Sequence, residues 1–245
     1  MNKILKYDFK QNRRYFFRTI IISLSLLILS FVLHNVLGLR VVLSNANLTY
    51  GIFYGLLAYF VGVTLNYVYL SINKDYNRPR SILTFLLPVS EKSYMWAKNL
   101  GVAIVYLINL VFVLLIYYIL NYKITGHLLA YFFLGLIWIL IITNLTLLRV
   151  QMTRFNQKKR PFIYVFLLFV LILLVSFVVS MYSSFVLVNG KIQHARPMSY
   201  AFIFPFAVGS KGLYLNLTPY ILYIGAWLLT FSLAKTNLET KLDLS

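Results

Sequence analysis

Few residues in this chain could take part in chemistry. Among 245 residues there is no cysteine, only three histidines (His34, His127, His194) and only five acids (Asp8, Asp75, Glu91, Glu239, Asp243). Without a thiol there is neither a disulfide framework nor a thiolate metal site. The sequence has no H-E-x-x-H and no set of acids and imidazoles at ligand spacing, so no metal site and no protease centre is expected. Ser71-Ile-Asn-Lys74 matches S-x-x-K, but the motifs that accompany it in acyl-transfer enzymes are missing, and we read it as coincidence. No G-x-x-x-x-G-K-[ST] is present, so ATP cannot be bound in the P-loop manner. The expectation is a chain with no catalytic residue and no cofactor of its own.

One polar stretch stands out against an apolar background. Asp75 to Leu100 reads DYNRPRSILTFLLPVSEKSYMWAKNL and is too polar to cross a bilayer. Pro88 breaks whatever precedes it and pushes Leu87 toward an extended conformation. Ser90 is a natural N-cap, and Glu91 just inside would favour the positive end of a new helix dipole. The local expectation is a short amphipathic helix over about Pro79–Leu86, a kink, and a second helix that becomes a membrane span.

The elements around that stretch follow from hydropathy. With 61% hydrophobic and 11% charged residues, the chain lies far outside soluble composition. Six apolar runs are present: Thr19–Gly38, Gly51–Ile72, Leu100–Leu120, Leu128–Leu148, Phe162–Tyr182 and Thr218–Ala234. Each approaches the ~20 residues a helix needs to cross the hydrocarbon core, and helices satisfy their own backbone in lipid. The first run lacks a small-residue cleavage pattern and reads as an uncleaved span. The fold class expected is therefore all-α: a single polytopic membrane domain over 1–245 with six transmembrane helices. Of the 23 Lys and Arg residues, eighteen fall in 1–18, 73–99, 149–161 and the C-terminal tail, against five in 39–50, 121–127 and 183–217. That asymmetry predicts both termini in the cytoplasm. All five acids lie on the same side, where they could meet a cytosolic partner. The net charge of +18 flanks apolar runs, so anionic lipid and topology explain it better than nucleic acid.

Further segments carry their own expectations. On a helical wheel Lys3, Lys6, Lys10, Arg13, Arg14 and Arg18 share one arc, with Ile4, Leu5, Phe9, Tyr15 and Phe16 opposite. Residues 1–18 therefore read as an amphipathic helix along the inner headgroup layer. Gly51, Gly55, Ala58 and Gly62 on the second run form a helix-packing face, within the chain or at a subunit interface. Asn66, Asn109 and Asn144 lie within runs and are each expected to make one inter-helix hydrogen bond. In the outer loop 183–217, Pro197–Gly209 is too short to span and too apolar for open water, which predicts a re-entrant or interfacial segment broken at Pro205. The runs contain no Lys, Arg, Asp or Glu. An ionisable group at membrane depth costs at least ~2.5 kcal/mol and is kept for function, so an ion-driven carrier is disfavoured.

The stretch around Pro88 resembles the cytosolic loop of type-2 ABC transporter permeases. Members have an acidic residue, a Leu-rich segment ending in Leu-Pro-Val/Ile-Ser, and a Lys as the next span begins. Asp75, Leu87-Pro88-Val89-Ser90, Tyr94 and Lys98 fit, whereas Pro79-Arg80, Ile82 and Glu91 depart from the usual residues. The resemblance implies a bacterial cell-membrane exporter in which two six-span subunits, identical or related, sit on two ATPase subunits that hold ATP and Mg. It implies that 73–99 is the coupling loop, with Asp75, Arg80, Ile82, Leu83, Phe85, Pro88 and Ser90 transmitting the ATPase's movement. It also implies short outer helices in 183–217 and an amphipathic cargo, as in export of antimicrobial or cytolytic peptides, or in immunity and resistance to them. The alternative is a non-transporting membrane scaffold or an accessory of a sensing or secretion complex.

Overall fold

The computed structural model describes residues 2–35, 46–76, 90–119, 126–154, 160–182, 184–188, 190–195, 206–209 and 212–242. These form seven helices and four strands: α1 (Asn2–Gln11), α2 (Arg13–Asn35), α3 (Ala46–Tyr76), α4 (Glu91–Ile119), α5 (Gly126–Arg154), α6 (Pro161–Tyr182), β1 (Ser184–Val188), β2 (Lys191–Ala195), β3 (Phe206–Gly209), β4 (Gly212–Asn216) and α7 (Thr218–Leu242). Among the described residues, five helices are long and apolar enough to cross a membrane: α2, α4, α5, α6 and α7. The expected second span lies within α3, a 31-residue helix that is not among those five. The chain divides into two compact units, Met1–Val89 with Trp96–Thr125, and Ser90–Met95 with Gly126–Ser245.

In the first unit, α3 and α4 supply most of the buried side chains. Phe60, Tyr67, Val68, Ile72 and Tyr76 recur at helical spacing along one side of α3, and Val102, Val105, Tyr106, Val113, Ile116 and Tyr117 do so along α4. The Phe60 and Tyr106 rings meet edge-on at 4.6 Å. Phe9, Phe16 and Tyr67 continue the aromatic packing, with centroids 5.1 and 5.4 Å apart, and the Tyr15 hydroxyl donates to the Val63 carbonyl. The N-terminal segment is not the single helix expected over 1–18. It breaks at Asn12, whose buried side chain takes part in tertiary hydrogen bonds, and α2 starts at Arg13. Backbone bonding nevertheless passes through the turn, from Asn12 N–H to the Asp8 carbonyl at 3.0 Å and from Phe16 N–H to the Asn12 carbonyl at 3.1 Å. The expected segregation of charge holds: Lys6, Lys10, Arg13, Arg14 and Arg18 are exposed, while Ile4 is buried and Leu5, Phe9, Tyr15 and Phe16 are half-buried.

In the second unit, α5 packs chiefly against α7. Leu134, Ile137, Ile141, Leu145, Ile172, Tyr220 and Tyr223 form its core, with Trp138 over Tyr223 at 4.5 Å. Polar groups within the apolar helices find partners across them: Tyr220 donates to the Ala130 carbonyl at 2.7 Å, and Asn144 to Thr230 at 3.4 Å. Asn144 thus makes the inter-helix bond expected of it. In the first unit, Asn109 is buried with its amide nitrogen unpaired among the described residues, and Asn66, although exposed, is hydrogen-bonded with Tyr15 of α2.

The segment before α7 adds strands to the mainly helical architecture expected. Residues within 183–217 form a four-stranded antiparallel sheet in the order β2-β1-β4-β3, and no helix is found there among the described residues. Ser184-Phe-Val-Leu-Val188 is rich in strand-forming residues, and Gly190 at φ +77° makes the reversal that pairs Val188 with Lys191. Part of the segment expected to re-enter the membrane, Phe206–Gly209, is strand β3 paired with β4. Its remainder, Pro197 to Pro205, lies outside the described residues. The Thr218 hydroxyl accepts the Phe185 N–H at 2.8 Å, and the Asn216 side chain accepts the Thr218 N–H at 3.2 Å, which fixes the turn from β4 into α7.

Candidate functional site

The most unusual chemistry in the described residues is a buried ion cluster in the first unit. Asp8 on α1, Asp75 in the last turn of α3 and Lys98 in the third turn of α4 are each only 2–3% exposed. Lys98 Nζ lies 2.8 Å from Asp8 Oδ1 and 2.7 Å from Asp75 Oδ2, so one ammonium is shared by two carboxylates. Helix geometry explains the convergence. Asp8 sits on the same side of α1 as Ile4, and Asp75 continues the buried line of Val68 and Ile72 on α3.

Neutral donors complete the coordination of Asp8. Tyr67 donates its hydroxyl to Oδ2 at 2.7 Å, and Ser71 donates to Oδ1 at 3.0 Å. Lys98 also reaches the Ser71 hydroxyl at 2.8 Å, and Asn12 donates to Asp8 Oδ1 at 3.2 Å. Lys74 Nζ donates to Asn12 Oδ1 at 2.6 Å, which brings a second positive charge to the edge of the cluster. Burial by itself would raise the Asp8 carboxyl. The Lys98 charge and the hydrogen bonds from Lys98, Tyr67 and Ser71 outweigh burial and hold it below its ordinary value. A carboxyl held low in this way suits Asp8 to be the counterion of Lys98. Gly101, one turn beyond Lys98, lets α1 come close: a methyl group there would lie 3.5 Å from the Tyr67 hydroxyl and 3.6 Å from Asp8 Oδ2 and Leu5 Cδ2.

This arrangement can position elements relative to one another. Asp8 accepts from Lys98, Tyr67, Ser71 and Asn12, and Lys98 lies between the two carboxylates. Among the described residues no three His, Asp or Glu side chains are placed to hold a metal ion. What the cluster does is tie three separate segments, α1, the end of α3 and the start of α4, to a single ammonium.

The expected site residues divide between described and undescribed positions. Asp75 is in the cluster. Ser90 caps α4 as expected: its hydroxyl accepts the Ser93 N–H at 3.4 Å, and its carbonyl accepts the Tyr94 N–H at 3.0 Å. Arg80, Ile82, Leu83, Phe85 and Pro88, with the short helix expected over about Pro79–Leu86, lie outside the described residues. Gly51 belongs to α3, although its surroundings are not described. Gly55, Ala58 and Gly62 are exposed on α3, and a methyl group at Gly55 or Gly62 would meet no described atom within 4 Å. Asp8 and Asp75, two of the acids that could have met a cytosolic partner, are instead paired in the interior.

Sequence reasoning passed over Asp8 and used Lys98 only as a motif residue. A signal for Asp8 was present: it is an acid on the apolar face of α1, among Ile4, Leu5 and Phe9, opposite every basic residue of that helix. An acid so placed needs a buried cation, because an unpaired carboxylate there would be costly. No family model, no curated protein and no solved structure matches this chain.

Proposed function

We propose that this chain is the membrane-spanning subunit of an ATP-driven ABC exporter. Hydrolysis by a separate ATPase subunit drives movement of a hydrophobic or amphipathic substrate, with antimicrobial or cytolytic peptides as the class that fits best. In this reading α3 is a sixth span, both termini face the cytoplasm, the membrane is the bacterial cell membrane, and a second six-span subunit completes the conduit.

One observation carries the reading: the Leu87-Pro88-Val89-Ser90 sequence lies between two helices whose ends share an ion pair. The Asp75–Lys98 contact at 2.7 Å joins the last turn of α3 to the start of α4. A load applied between them, at residues 77–89, would reach both helices at once. Arg80, Ile82, Leu83 and Phe85 would enter a groove on the ATPase, while Pro88 and the Ser90 cap set the angle of delivery. Asp75 itself is withdrawn from the surface, so its part in coupling runs through Lys98. The absence of a P-loop in the sequence is in keeping with a partner that supplies the free energy.

The test is purification from native membranes with bound proteins retained. A P-loop ATPase should accompany the chain, and Leu83→Asp combined with Pro88→Ala should release it or abolish stimulation of its hydrolysis while leaving insertion intact. Unchanged association and hydrolysis would refute the coupling assignment and favour a scaffold. Solute flux by the pure chain in vesicles under a proton or sodium gradient would refute the exporter reading altogether.

A further inference from the structure

The N-terminal helix presents its charge in an unusual way. An interfacial amphipathic helix ordinarily sinks its apolar face into acyl chains. Here that face is turned to protein: Ile4, Asp8 and Asn12 are 7%, 3% and 1% exposed, and Asp8 is held by Lys98, Tyr67 and Ser71. The rotation of α1 is therefore set by the ion cluster and not by lipid insertion. What remains outward is a single-sign surface of Lys6, Lys10, Arg13, Arg14 and Arg18. The one acid of α1 is buried, and none of the five cations has an acidic partner among the described residues.

The position of this surface indicates its ligand. Arg13, Arg14 and Arg18 lie in the opening turns of α2, where Phe17, Ile20, Ile21, Ile22 and Leu24 are 40–57% exposed and the apolar span begins. The Arg13 guanidinium packs over the Phe17 ring at 5.7 Å, which joins the charged surface to the apolar one. If α2 crosses a bilayer, a row of cations continuous with its exposed apolar face would lie at the level of phosphate headgroups. Lys6 and Lys10 extend that row one to two turns further along α1.

We propose that the outward face of α1 and the first turns of α2 are a binding surface for anionic phospholipid headgroups, selected by charge and held in place by the buried Asp8. Lys6 and Lys10 are the selective part, because Arg13, Arg14 and Arg18 also serve to anchor the span. The attraction of a basic residue to an anionic leaflet is worth about fivefold in association, since each contributes about 1 kcal/mol near the surface.

The experiment uses the full chain in bilayers containing spin-labelled phosphatidylglycerol or phosphatidylcholine, with relative association read from the motionally restricted fraction. The expected result is a several-fold preference for phosphatidylglycerol that falls toward unity at about 0.5 M salt, where the screening length is only a few ångströms. Lys6→Gln with Lys10→Gln should bring that preference close to unity, while the three arginines keep the topology. The salt titration needs no variant and stands if the double substitution folds poorly. Equal association of both lipids, or a preference untouched by salt and by the substitutions, would overturn the proposal and leave this face to an acidic protein segment. Neither readout requires an ATPase, so its failure is separable from failure of the exporter reading.

Discussion

Replacing Lys98 with methionine tests the ion cluster most directly. Methionine keeps an unbranched apolar stem and removes the ammonium that Asp8 and Asp75 approach at 2.8 and 2.7 Å. Two carboxylates would then face each other in a site only 3% exposed. At a separation on the order of 5 Å and an effective dielectric of about 20, their repulsion is about 3 kcal/mol. Breaking a buried pair by removing one partner costs about 3–5 kcal/mol, which agrees. Protonating one carboxyl relieves the repulsion, so the loss is capped near the cost of that proton: about 4 kcal/mol at pH 7 and about 1.5 kcal/mol at pH 5. In the native protein Asp8 is held below its ordinary value, so its stabilisation is complete above the unfolded value and is lost only as pH falls through the lower folded one. Between pH 7 and pH 5 the native protein should thus change little while the variant recovers. The assay is reversible unfolding of purified protein followed by Trp96 fluorescence, with Trp138 and Trp227 replaced by phenylalanine. Trp96 belongs to the first unit, two residues from Lys98, so it reports the affected region. Adding Asp8→Asn to the Lys98→Met variant removes one of the opposed charges and should restore most of the loss at pH 7. A Lys98→Met protein as stable as the native one at pH 7, or a deficit that grows on acidification, would refute the reasoning.

Two further outcomes follow from local geometry. Gly101→Ala should be tolerated, because its methyl group meets neighbours at 3.5–3.6 Å and helical alanine gains up to about 1 kcal/mol over glycine. Gly101→Leu should instead push α1 away. A lone thiol introduced as Ile4→Cys, at a position 7% exposed, would stay unreactive in the first case and become labelled in the second. Gly190→Ala should cost about 1 kcal/mol because φ is +77°, seen as faster hydrogen exchange in β1 and β2, whereas Gly190→Asn should be nearly neutral.

Local chemistry was legible in the sequence and long-range chemistry was not. Apolar runs of span length located the five membrane-competent helices, since backbone bonding in a helix closes within the run itself. Ser90 was readable as a cap because a capping hydroxyl acts only three residues away. The ion cluster joins positions 8, 75 and 98, and no periodicity links them. Each residue alone reads as one more charge beside a span. The sheet had a clear sign in Val188-Asn189-Gly190-Lys191, since Asn-Gly between two strand-like runs marks a tight hairpin. The apolar character of 197–209 drew the reading toward the membrane instead, because a short apolar run suits a strand as well as an interfacial helix.

Asp8 and Lys98 are ninety positions apart, and that distance orders events during synthesis. The acid leaves the ribosome early, and its counterion follows only after two long helices have been made. Until α4 emerges, the α1–α2–α3 intermediate carries Asp8 and Asp75 without the cation that lets them be buried together. Arrival of Lys98 therefore closes the first unit in one step, and a nascent chain truncated before that residue would expose Asp8, Ile4 and the inner face of α1 to proteases that spare the finished protein.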